Sequence, residues 1–202
     1  MSSAALLLAA GESSRFGGSP KALVPVGERT AIRRLAEISL EAGLDPVVVV
    51  VGAHREGIRH EVRSLPVTVV EAEDWYEGRT ASVQAGLNAL PVARDILFWP
   101  VDHPFVLPRT VELLARLPDR DLLGVWFIPT YQGNNGHPVL WRSTVRHELL
   151  ELRPDAPIRA LLPELGPQVR RVPVDDPGVV ANVDTPEAYR EAHDAWERSE
   201  EE

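Results

Sequence analysis

Gly11-Glu12-Ser13-Ser14-Arg15-Phe16-Gly17, followed shortly by Lys21, gathers small residues, hydroxyls and two cations into one stretch. Backbone N–H groups in such a loop are free to point at an anion, and nearby cations add charge. A polyphosphate is the ligand this chemistry suits. The loop is not a P-loop, because Lys21 follows Pro20 and precedes Ala22. It is not a dinucleotide fingerprint either, since no G-x-G-x-x-G occurs. Read from composition alone, a glycine-rich turn with solvated Arg15 and Lys21 fits equally well. Two carboxylates stand apart from the rest. Asp102 directly follows the apolar run Ile96–Val101, which places it at the mouth of a sheet, although a turn aspartate before Pro104 fits the same letters. Asp184 lies in Asn182-Val183-Asp184-Thr185-Pro186-Glu187, which also reads as an ordinary helix start with Pro186 in its first turn.

Elements that must position these residues follow from the apolar pattern. Strands are expected at Ala4–Ala9, Val47–Val51, Val67–Glu71, Ile96–Val101, Leu122–Ile128 and Val169–Val174. Helices are expected at Thr30–Ala42, His54–Ser64, Ser82–Leu90, Pro108–Leu117, Ser143–Leu152, Pro157–Leu162 and Pro186–Trp196. Strand–helix alternation predicts a three-layer α/β/α fold around a mostly parallel, Rossmann-like sheet. Ligands bind beyond the carboxyl ends of the strands in such sheets. Loops 10–26, 72–82 and 102–107 are therefore the candidate site, and 129–138, with its turn-rich Gly133-Asn134-Asn135-Gly136, is a candidate lid.

Bulk properties narrow the function. The 202 residues suit one domain, taken as 1–196, with an acidic tail at 197–202 expected to be disordered. A net charge of −9 argues against general binding of nucleic acid or anionic membrane. With no cysteine, disulfides, thiolate metal sites and cysteine nucleophiles are excluded. The first apolar run is too short for a signal peptide or a membrane span, so a cytoplasmic location is the expectation. No histidine cluster has zinc spacing. The pairs Arg33-Arg34, His54-Arg55 and Arg170-Arg171 read as solvated charge.

The order of residues says more than their composition. Leu8-Ala9-Ala10-Gly11-x-Ser13-x-Arg15-Phe16-Gly17, then Lys21, resembles the signature of nucleotidyltransferases built on a glycosyltransferase-A-like fold. The likeness is greatest to the molybdenum cofactor nucleotidyltransferases. Ala10 resembles their cytidylyl branch, since the guanylyl branch has Gly there. The resemblance implies that Leu8, Ala9, Ala10, Gly11 and Ser13 wrap a nucleotide, with CTP favoured and GTP the alternative. It implies that Arg15 contacts the β- and γ-phosphates and that Lys21 neutralises the α-phosphate. Losing Lys21 would then cost about 3 kcal/mol of transition-state stabilisation. Asp102 and Asp184 would hold Mg²⁺ on the triphosphate, a cation that takes one or two carboxylates and fills its shell with phosphate and water. The family's late motif begins with Asp where this chain has Asn182. His103 occupies a variable position; it reads as a turn residue, with a pH-sensitive neighbour of the metal site as the other reading.

Further segments extend the likeness from Leu6 to Tyr189. Trp75-x-x-Gly78-x-x-x-Ser82-x-x-Ala85-Gly86-Leu87 resembles the family's base- and ribose-reading loop and implies roles for Gly78, Thr80 and Ser82. Its Arg79-x-x-Ser82-Val83 also resembles the methylerythritol-phosphate cytidylyltransferases. Gly136-His137-Pro138 favours the molybdenum-type group and brings in His137. Asp155 and Arg159 match a later acceptor motif in spacing, but two of its glycines are Pro154 and Pro157 here, which stiffen that backbone. The implied activity is Mg²⁺-dependent transfer of CMP from CTP to a phosphorylated molybdopterin-type cofactor, with release of pyrophosphate. Guanylyl transfer, transfer to a sugar or alcohol phosphate, and a non-catalytic accessory role in molybdoenzyme maturation stand as alternatives. The partners implied are a nucleoside triphosphate, a phosphorylated small molecule and a molybdoenzyme, with the chain a monomer or weak dimer.

Overall fold

Ala4-Ala5-Leu6-Leu7-Leu8-Ala9 forms a strand with every residue buried in a computed structural model that describes residues 3–17 and 19–200. Gly18 of the first loop and Glu201 and Glu202 of the tail lie outside the described residues. In chain order the elements are β1 (Ala4–Ala9), β2 (Pro25–Val26), β3 (Arg29–Thr30), α1 (Ala31–Glu41), β4 (Val47–Val51), α2 (Arg55–Val62), β5 (Thr68–Glu71) and α3 (Arg79–Ala89). Then come β6 (Ile96–Pro100), α4 (Pro108–Ala115), β7 (Trp126–Tyr131), β8 (Asn134–Asn135), β9 (Val139–Trp141), α5 (Arg146–Glu151), α6 (Leu162–Leu165), β10 (Val169–Pro173) and α7 (Pro186–Glu200).

A strand can hide both faces only with strands at its edges and helices above and below. β1 has both. It pairs in parallel with β4 and β6, at the centre of a sheet ordered β10-β7-β9-β6-β1-β4-β5. Side chains alternate across the sheet. Ala5, Leu7 and Ala9 join Ile32 and Leu35 of α1, Ile58 of α2 and Val111 of α4 in one core. Ala4, Leu6 and Leu8 join Val83 and Leu87 of α3 and Leu149 of α5 in the other. The expected three layers are therefore present. A third cluster packs Phe16 and Val24 of the first loop against Phe105, Val183 and the α7 residues Tyr189 and Trp196.

The sheet departs from all-parallel at β8 and β9. β9 is antiparallel to both β6 and β7. It gets there through the segment expected to be a lid. That segment is instead a tight hairpin: Gln132 and Gly133 both have positive φ, 50° and 82°, and β8 pairs back on β7. Two positive φ angles in succession are what a two-residue turn between right-twisted strands requires. Gly136 N–H then donates to the Pro129 carbonyl (2.8 Å) and fixes the exit.

Other boundaries moved for local reasons. The strand expected from Leu122 begins only at Trp126, because Asp121 Oδ1 accepts the Leu123 and Gly124 N–H groups (3.0 and 2.9 Å) in a turn that leaves Leu122 and Leu123 exposed. α3 starts at Arg79 rather than Ser82. α7 continues through Glu200, past the boundary set at Trp196.

α3 lies close on the sheet at Gly86. A Cβ there would sit 2.6 Å from Val50 Cγ2 and 2.9 Å from Leu6 Cδ1. Gly86→Val is expected to destabilise the fold by about 1–3 kcal/mol through overpacking. Urea unfolding checks this, and a variant as stable as the parent would show that α3 can lift off the sheet at no cost.

Candidate active site

A cleft of about 280 Å³ opens beyond the carboxyl ends of β1, β4 and β6. Its floor is the chain leaving β1, Leu8 to Gly11, and its walls include Lys21, Trp75, Gly78, Ser82 and Asp102. The loop is folded back on itself. Ser13 takes a left-handed backbone (φ 58°), and its Oγ accepts the Lys21 N–H (3.1 Å). Ala10 is buried, and its carbonyl accepts the Ala53 N–H (3.1 Å). Gly52 lets these strands close up, since a Cβ there would meet the Ala10 carbonyl and sit 2.8 Å from Trp75 Cγ.

Each acid of the cleft carries cationic partners. Lys21 Nζ donates to Asp184 Oδ1 at 2.5 Å, and Arg15 reaches Asp184 Oδ2 at 3.0 Å. Lys21 is largely enclosed, with 12% of its side chain exposed, whereas Arg15 is 70% exposed. On the other side Asp102 is buried. Its Oδ1 accepts from His103 Nδ1 (2.8 Å) and its Oδ2 from Arg79 (3.3 Å). A carboxylate can only accept, so Nδ1 of His103 carries the proton. Burial pushes the Asp102 carboxyl up, but the hydrogen bond and charge of His103, together with Arg79, outweigh it and hold the group well below the usual carboxylate range. The Val183 N–H donates to the Asp102 carbonyl (2.8 Å), which joins the chain around the two acids. An all-oxygen donor set, already balanced by cations, fits a hard divalent ion.

Thr80 and His137 are placed elsewhere. They line a second, larger cavity of about 540 Å³ on the β9 side. Thr80 Oγ1 donates to the Ala156 carbonyl (2.6 Å). Gly78 has φ 150°, and a Cβ on it would lie 2.5 Å from the Pro154 carbonyl oxygen. The stiff 154–157 backbone is therefore what Gly78 accommodates. Aromatic rings wall this second cavity: Phe98 stacks on Trp141 (4.7 Å, 13°), and Trp126 tilts against Trp141 (5.2 Å). His137 packs beside His103 with ring centroids 4.8 Å apart, and its Nδ1 is buried without a hydrogen-bond partner. Burial first, and then the His103 charge, push His137 down to about 3.

Several residues matter here that the letters presented as bland. His54, read as solvated, lines the cleft and bonds the Glu12 carbonyl (2.9 Å). Arg34, also read as solvated, holds the loop after β6 by donating to the Pro104 and Val106 carbonyls (3.1 and 3.2 Å). His103 is an Asp102 partner rather than a plain turn residue. Arg79, noted only for its spacing, stands at the junction of the two cavities. Among the described residues the one group of three side chains with metal-ligand geometry is His193, Asp194 and Glu197 on α7, which does not include Asp102 or Asp184 and lacks the zinc spacing sought.

The MobA-like NTP transferase domain matches residues 5–169. The chain belongs to that family. This MobA-like domain is 36% identical over 117 residues to a nicotine blue oxidoreductase of Paenarthrobacter nicotinovorans, covering 57% of this chain and 57% of that protein. It is 37% identical over 117 residues to a molybdenum cofactor guanylyltransferase of Rhodopseudomonas palustris, covering 56% of this chain and 51% of that protein. The match thus spans about half the length of these curated relatives. A solved nucleotidyl transferase of Methanothermobacter is 25% identical and superposes with a TM-score of 0.82 over 98% of this chain and 99% of its own. The glycosyltransferase-A-like fold and the family expected from the motifs are both present.

The His137 environment has a measurable consequence. Its folded pKa of about 3 lies below the ordinary 6.5, so the unfolded chain binds more protons between those values. Stability is fully present above about pH 6.5 and is lost as pH falls toward 3. His137→Phe is expected to flatten the acid side of the unfolding profile over that window. An unchanged slope, read by chemical denaturation at several pH values, would place the acid sensitivity elsewhere.

Proposed function

We propose that this MobA-like domain transfers CMP from CTP to a phosphorylated molybdopterin-type cofactor and releases pyrophosphate. One observation carries the transferase reading: Lys21 and Arg15 converge on Asp184, and Lys21 lines the same glycine-loop cleft as the buried Asp102. In the reaction an acceptor phosphate oxygen attacks the α-phosphorus. The bond from that phosphorus to the α,β-bridging oxygen breaks, and its electron pair leaves with pyrophosphate.

Such chemistry is accelerated mainly by positioning and by stabilising charge. Lys21, its side chain enclosed and its main-chain N–H held by Ser13 Oγ, suits the α-phosphate. Arg15, long and exposed, suits the departing β- and γ-phosphates. Asp102 and Asp184 would hold Mg²⁺, which would supply positive charge to offset that of the phosphates. To do so, Asp184 would give up its bonds to Lys21 and Arg15, and Asp102 its bond to Arg79. His103 keeps Asp102 ionised and oriented throughout. Ala10, at the position that resembles the cytidylyl branch, supports CTP. The relative named as a guanylyltransferase supports GTP as the competing donor.

In a thermal-shift experiment with Mg²⁺, CTP is expected to raise the unfolding midpoint more than GTP, UTP or ATP, because only the folded chain binds it. A larger shift with GTP reverses the donor assignment. Asp102→Asn should remove the metal-dependent part of the shift. Lys21→Ala should lower kcat by about a hundredfold or more. Nucleotide binding that never yields pyrophosphate with molybdopterin or a simple phosphate acceptor would leave an accessory, non-catalytic role.

A further inference from the structure

Arg79 alone, among the described residues, lines both cavities. In the transferase reading one cavity holds the donor's α-phosphate and the other holds the acceptor. Two anions must then approach each other at their junction, and a cation is needed there. Arg79 stands at that point, and its contacts leave it free to move. Its side chain is 56% exposed, and its bond to Asp102 is a single long one of 3.3 Å. It also opens α3, whose first turn has no side-chain cap and no acidic residue. The helix amides therefore face the same place.

We propose that Arg79 is the residue that receives the acceptor's phosphate, held in reserve on Asp102 until a metal–nucleotide complex takes that carboxylate. The proposal rests on the transferase reading. Its physical basis is a competition for one carboxylate oxygen. Asp102 Oδ2 serves either the guanidinium or a divalent cation. Once the cation wins, a planar guanidinium with several donors is released beside the aromatic cavity, and phosphate is the group it binds best. The walls of that cavity, Phe98, Trp126 and Trp141, then suit a flat, unsaturated acceptor ring behind the phosphate. Binding is ordered as a result, with metal–nucleotide before acceptor.

The test uses the full chain with two probes: Mn²⁺ with a non-hydrolysable α,β-methylene analogue of CTP, and inorganic phosphate titrated into the resulting complex. Calorimetry reads both affinities for the parent, Arg79→Lys and Arg79→Leu. Arg79→Leu is expected to weaken phosphate by at least about tenfold. It is also expected to tighten the metal–analogue complex, because Asp102 no longer has to give up a partner. Arg79→Lys should fall between the two. Opposite movements of the two affinities support the proposal, since damage to α3 would weaken both. Phosphate affinity equal in parent and Arg79→Leu complexes overturns it and leaves the transferase reading intact. Failure of the parent to bind the analogue, or its GTP counterpart, overturns both.

Discussion

Charges in a half-enclosed cleft cannot be left unaccompanied. Removing solvent from a carboxylate costs several kcal/mol unless another charge or a set of donors replaces the water. Asp102 and Asp184 meet this constraint with His103, Arg79, Lys21 and Arg15. Much of the surrounding architecture serves to bring these partners together. β1 and β6 end side by side and deliver the first loop and Asp102 to one mouth. The indole N–H of Trp99 donates to the His103 carbonyl (3.0 Å) and sets the turn after β6. The Val183–Asp102 backbone bond and the packing of α7 on Phe16 bring Asp184 in from far along the chain.

The paired state is also a poised one. On the proposed function, the cations offered to a triphosphate are already held by the acids offered to a metal. Exchanging partners therefore conserves the number of ion pairs while converting internal pairs to ligand pairs. Enclosure differs among the four groups, and that difference sorts them. Lys21 and His103 are packed in place, whereas Arg15 and Arg79 reach out from exposed positions. The fixed pair can define geometry and the mobile pair can follow the ligands.

The fold was legible wherever one physical signal dominated. The valine run Val47–Val51 and the apolar run Ala4–Ala9 could only be doubly buried strands, and they are. Short or frustrated segments were harder. β9, three residues long, has no periodicity to read, and it owes its place to the Gln132-Gly133 turn. The turn letters around Asn134 were visible, but whether they made a lid or a hairpin depended on a partner strand. The first-loop cations and both acids were legible as candidates, and the structure brings Lys21, Arg15 and Asp184 into contact. Thr80 and His137 line the second cavity, and spacing along the sequence does not reveal which of two neighbouring cavities a residue lines. Arg34 and His54 were passed over for one shared reason: their partners are backbone carbonyls that only tertiary structure supplies.

Lys21 and Asp184 are separated by 163 positions, yet they touch. Closing a loop of that length costs chain entropy that local contacts alone do not repay. Until the sheet between them has assembled, the first loop lacks its acid and Phe16 lacks the helix that covers it. The docking of α7 therefore completes the cation–acid cluster and the hydrophobic cover of the first loop in a single step.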